Sequence, residues 1–171
     1  MKVLADVFDY YAQCNKLINT NLLEIIKAND IFNKTLPGYY KSINDILFHI
    51  LDVDLSWMSD LKQTIDSEIY EEALFKSFDE KNSTNPYKTI IGFEKDRIKL
   101  DNLFIKFVHE LRAQELEKAI TYKPDKTKKV WEVLIHTFNH QTHHRGQISQ
   151  ILDENGINND FSNMIRYDIK I

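Results

Sequence analysis

Apolar residues recur at helical spacing through four long stretches of the chain, separated by segments where that spacing fails. The first stretch runs from about Val3 to Ala28, carried by Val7, Tyr11, Leu22, Leu23 and Ile26. The loop FNKTLPGYYK ends it, with Pro37-Gly38 as the breaker. A second helix is predicted from Ser42, an N-cap with Asp45 three residues on, through INDILFHILDVDLSWMSDLK. The segment TIDSEIYEEALFKSFDEKNSTNP holds no single period and reads as a long, partly helical connection. A third helix follows Pro86, from about Lys88 to Arg112. After TYKPDK, Thr127 is placed to cap a fourth, which reaches about Glu154 and closes at Asn155-Gly156. The expected fold is all-α, a four-helix bundle in one domain spanning residues 1–171. Periodicity alone leaves open whether a crossover connection alters the up-down order of the helices.

Composition sharpens this picture at a few points. Four glycines and three prolines in 171 residues are too few for a strand-and-turn fold. Hydrophobic residues at 43% and charged residues at 28% give a globular balance. The net charge is -4, with lysines and arginines scattered among the acids, so no basic face for nucleic acid is expected. Asp6 and Asp9 stand where a signal peptide needs an apolar core, and no apolar run reaches the length of a membrane span. A cytoplasmic protein without a membrane partner is expected. The single cysteine, Cys14, has no internal partner and no histidine near it in sequence; it reads as a small apolar residue.

Candidate chemistry gathers in IHTFNHQTHHRGQ, residues 135–147, which holds four of the six histidines. On a helical wheel Val130, Val133, Leu134, Ile148, Ile151 and Leu152 share one broad face, while Trp131, Ile135 and Phe138 imply a second buried region. His144 falls about 30° from the centre of the aliphatic face and His140 about 70°, whereas His136 and His143 lie more than about 100° away. The i, i+4 pair His140 and His144 projects two imidazoles from one face, near enough to share an ion. Zinc that keeps a position open for chemistry usually takes three protein ligands. The third would come from another helix. His109 and His49 are the candidates, and His49 is better placed, among Ile46, Ile50 and Val53. The competing reading is a histidine-rich surface patch with ordinary hydrogen bonds.

HTFNHQTHHRGQISQIL resembles the signature of the DinB-like (DinB/YfiT) family of metal-binding four-helix bundles, whose last core helix carries NHxxHHRGQ. SINDILFHILDVDLSW resembles the family's other marker, a second-helix histidine followed by an acid and an aromatic; ENGINNDFSNMIRYD is similar to its closing segment. The resemblance implies a bundle with a crossover, often a homodimer, holding one divalent ion on His49, His140 and His144. It carries over no ligand role for His143, Arg145, Gly146 or Gln147. Arg145 would pair with an acid or a helix end, and Gly146 would allow close helix approach. Asp54 and Trp57 match the acid and the aromatic, favoured as a helix-surface acid and a core or interface indole. His136, one turn before His140, would line the mouth of the site or hydrogen-bond behind it. Asp54 and His136 are the only catalytic candidates.

Imidazole ligands suit several divalent metals; zinc comes first, for its availability, and nickel next. The resemblance implies a metal-dependent enzyme, foremost a thiol S-transferase in which the ion activates a low-molecular-weight thiol toward a small electrophile. A metal-dependent hydrolase and a non-enzymatic, stress-related or interaction protein are the alternatives. A di-iron site of the hemerythrin kind would need more histidines and paired carboxylates.

Overall fold

The structure, a computed structural model, describes residues 2–169; positions 1, 170 and 171 of the expected domain lie outside the described residues. Four long helices carry the fold: α1 (Lys2–Ala28), α2 (Ile43–Leu61), α4 (Ile90–Glu110) and α5 (Val130–Glu154). A one-turn α3 (Ala73–Lys76) and two 3₁₀ turns, Glu68–Glu71 and Glu80–Asn82, interrupt the connection between α2 and α4.

Local chemistry sets the helix ends. The Ser42 hydroxyl accepts from the Asp45 N–H at 3.1 Å, the N-cap expected for α2. Thr89 caps α4 through the Gly92 N–H at 3.3 Å, so that helix starts at Ile90, slightly later than its pattern suggests. At the end of α5, Gly156 takes a left-handed φ of 68°. Its N–H reaches the Asp153 carbonyl and the Ile157 N–H reaches the Leu152 carbonyl, each at 2.9 Å, which helps satisfy the last acceptors of the helix.

Paired residues give the helix directions. Asn19 meets Asp101 and Lys27 meets Glu94, so α1 and α4 are antiparallel. Asn44 bonds to Tyr87 and Asp54 to Arg97, so positions on α2 and α4 rise together and these helices are parallel. Residues 62–89 therefore recross the length of the bundle. This is the crossover, and Ile65, Ile69 and Tyr70 pin it to the core. Against α2, α5 runs antiparallel, placing Trp57 beside His136 and His49 beside His140 and His144.

One element departs from the expected pattern. Thr127 does not cap α5; it lies in a hairpin of β1 (Ala119–Lys123) and β2 (Lys126–Lys129) that turns at Pro124-Asp125. Only Ile120 of β1 is buried, and every residue of β2 is exposed, so no alternating apolar face marks the strands. The Glu132 carboxylate instead accepts from the Lys129 N–H at 2.9 Å, and α5 starts at Val130. Gln63, just past α2, both donates to and accepts from the Thr121 backbone and so ties the hairpin to that end of the bundle. Among the described residues no helix is long and apolar enough to cross a membrane.

Candidate metal centre

The groove between α2 and α5 brings three imidazoles together. His49 comes from the middle of α2; His140 and His144 come from successive turns of α5. His140 Nε2 lies 3.1 Å from His49 Nε2 and 3.0 Å from His144 Nε2. Three bonds of about 2.1 Å from one divalent cation can span nitrogens at this separation. The structure thus joins the two α5 histidines favoured by the helical wheel with His49, and these three could hold a metal ion.

The surroundings keep the rings neutral and turned inward. Gln147 Oε1 lies 2.8 Å from His144 Nδ1. An amide oxygen can only accept, so the ring proton sits on Nδ1 and the Nε2 lone pair faces the other histidines. Tyr40, from the loop before α2, sets its ring against both His49 and His144, with centroids 5.5 and 5.8 Å away. Burial lowers the pKa of His49, an effect that Asp52 partly opposes. Burial and the neighbouring histidines pull His140 down to about 3. His144 is lowered too, mainly by burial. Unprotonated nitrogens are what a cation needs.

The remaining candidates fall elsewhere. His109 is exposed at the far end of α4, 3.9 Å from Asp9, and takes no part in the cluster. His143 is exposed and accepts from Gln147 Nε2 at 3.3 Å. His136 is exposed too, packed edge-on to Trp57 at 5.2 Å and 6.1 Å from the His140 ring, at the rim of the groove.

Asp54 is not a helix-surface acid: it is fully buried. Arg97 Nη1 donates to its Oδ2 at 2.6 Å and Gln141 Nε2 at 2.9 Å, while Arg97 Nη2 reaches Asp101 at 2.7 Å. Asn19 donates to Asp101, and Arg145 donates to both Asn19 and Gln141. These six side chains cross-link α1, α2, α4 and α5 directly behind the histidines. Burial pushes the Asp54 carboxyl up to about 6 although Arg97 opposes it. Burial alone would lower the Arg97 pKa, but Asp101 and Asp54 more than reverse that. Arg145 pairs with amides rather than with the acid or helix end expected of it.

The sequence profile of the DinB family matches residues 1–168. This chain belongs to the DinB family. Protein DinB of Bacillus subtilis (strain 168) is 25% identical over 154 residues, covering 88% of this chain and 84% of that protein.

Three features of this DinB-family chain did not stand out from sequence. Tyr40 sits in a loop with no periodic signal. Gln147 was visible as the residue three after His144 but had no assigned part. Gly146 does not serve close helix approach, since a Cβ there would meet no atom within 4 Å. It is exposed in the interior of α5, where glycine costs a helix about 0.5–1 kcal/mol relative to alanine. Gly146→Ala is therefore expected to raise stability by about that amount. Urea titration checks this, and an unchanged or lower midpoint would mean that another molecule packs on that backbone.

Proposed function

We propose that His49, His140 and His144 hold one divalent cation through their Nε2 atoms, and that the protein uses it to activate a low-molecular-weight thiol for transfer to an electrophile. Zinc is the first candidate and nickel the next. The convergence of three neutral imidazole nitrogens at 3.0–3.1 Å supports this reading above all else. A cation held this way keeps coordination positions free and lowers the pKa of a thiol or water that occupies one.

The chain's own residues favour a thiol over water. Metal-dependent hydrolysis is commonly assisted by a positioned general base beside the cation. Asp54 is engaged by Arg97 and Gln141, and among the described residues no carboxylate joins the three-histidine cluster. A thiol, far more acidic than water before it meets the cation, loses its proton there with less help from such a base. A purely structural cation would ordinarily have a fourth protein ligand, which also tells against the non-enzymatic alternative. A cytoplasmic setting, where thiols stay reduced, belongs to this reading; the one cysteine, Cys14, is buried and free.

The deciding measurement is the metal content of untagged protein, wild type beside His140→Ala. Wild type is expected to retain close to one equivalent of zinc or nickel and the variant little; equal content would dismiss the site. Loaded protein is then assayed with several cellular thiols and an electrophilic acceptor. Turnover requiring both ion and thiol supports transfer, whereas none across the panel leaves a metal-binding bundle. Gln147→Leu, which frees the His144 ring, should weaken metal affinity by about 10- to 100-fold in a competition titration.

A further inference from the structure

Toward the hairpin end of the α2–α5 pair lies a cleft of about 480 Å³ between the hairpin and α5, walled by Trp57, Tyr122, Trp131, Ile135 and His136. We propose that this cleft binds a flat, uncharged aromatic or conjugated ring, and that such a ring is part of the electrophilic acceptor. The second half of that statement rests on the proposed metal chemistry; the first does not.

Four observations carry it. The volume falls in the range of small-molecule sites. Its apolar walls are accessible where burial would be expected: Ile135 remains 50% exposed and Tyr122 40%, with Trp57 and Trp131 only partly covered. The wall is also held rigid. Tyr122 stacks on Trp57 at 5.2 Å with 28° between the rings, and His136 closes edge-on against the same indole at 5.2 Å. The Gln63 bonds to Thr121 fix the hairpin that delivers Tyr122, so an incoming ring meets a surface already ordered. Finally, the rim selects against charge. Lys128 and Glu132 lie on the lining but neutralise one another at 3.1 Å, leaving Asn139 and His136 as the polar groups that could orient a ligand.

Position links the cleft to the metal centre. Trp57 packs against His136, and His136 lies 6.1 Å from the His140 ring, so one side chain separates the indole from the nearest imidazole of the cluster. Trp57 lies on α2 two turns beyond His49, and His136 on α5 one turn before His140; the same antiparallel helix pair builds both places. On this reading His136 is a specificity-determining residue at the junction.

The test uses the whole chain with 2-naphthol as probe, titrated by calorimetry into metal-free protein and then into protein loaded with zinc or cobalt. Ile135→Glu changes an exposed position and Trp57→Leu a half-buried one; circular dichroism reports whether each variant is folded. Binding to metal-free wild type, weakened at least fivefold by Ile135→Glu and by Trp57→Leu, supports the cleft. Faster proton relaxation of bound naphthol in the cobalt form than in the zinc form supports its place beside the ion. Naphthol affinity unchanged by Ile135→Glu would overturn the proposal. So would a concentration-dependent dimer that Ile135→Glu dissociates, because a second copy would then cover these walls. Failure of the metal centre registers separately, as cobalt that does not bind while naphthol still does.

Discussion

Arg97→Met is expected to cost at least about 3–5 kcal/mol, enough to bring an ordinary domain to the edge of unfolding. The guanidinium is buried and is the cation that bridges two buried carboxylates, Asp54 at 2.6 Å and Asp101 at 2.7 Å. Removing it strands both. The Asp54 carboxyl would then favour its neutral form still more, with a folded pKa raised further above the unfolded value near 4. A raised carboxyl pKa means that the folded state holds more protons than the unfolded state across that window, so stability falls as pH rises through it. Burial already pushes Asp54 up to about 6 with Arg97 in place, and without Arg97 it would titrate higher still. The loss relative to wild type should therefore be markedly larger at pH 8 than at pH 5 in urea unfolding. Adding Asp54→Asn and Asp101→Asn should recover much of the loss. An equal loss at both pH values would mean that Arg97 contributes packing, not charge compensation.

That network also marks where sequence reasoning stopped. The four helices were legible because their apolar positions repeat at helical spacing and their ends carry ordinary caps, Ser42 and Asn155-Gly156 among them. The histidines were legible because burial follows the wheel: His144 is buried and His140 half-buried, while His136 and His143 are exposed. Arg97 and Asp101, in contrast, sit in EKDRIKLDN among exposed or part-exposed charges of the same kinds. A finer wheel would have flagged them, since they share the stripe of Phe93, Leu100 and Phe104. Residue type argued for surface and position argued for core; position was the better guide. The hairpin was hidden for the opposite reason. Its strands are almost wholly exposed, so burial left no alternating pattern to read, and the two tethers from Gln63 are tertiary.

Position in the fold further explains why Asp54 is a poor base. The carboxylate is fully buried and accepts from Arg97 and Gln141 at Oδ2, and these partners hold α2 against α4 and α5. Gln141 follows His140 directly, so the brace and the α5 histidines share one turn of that helix. The network fixes the helices that carry the cluster without bonding to its nitrogens.

His140→Ala should abolish the stabilisation that metal confers and also flatten the acid limb of the stability curve. A cation that binds only the folded state at one hundred times its dissociation constant adds about 2.7 kcal/mol. With one of three nitrogens gone, that gain should disappear from thermal melts taken with added zinc. The pH effect has its own sign. Burial lowers the folded pKa of all three rings below the unfolded value near 6.5, His140 to about 3. Between those values the unfolded chain binds more protons at these rings, so their contribution to the stability of the metal-free protein falls as pH drops below about 6.5. Discounting for partial exposure, the loss between pH 7 and pH 5 should be on the order of 1–2 kcal/mol. In the His140→Ala protein the most depressed ring is gone, so the slope should shrink. If zinc instead raises the melting temperature of both proteins equally, the cation sits away from these three rings and the proposed chemistry has no centre.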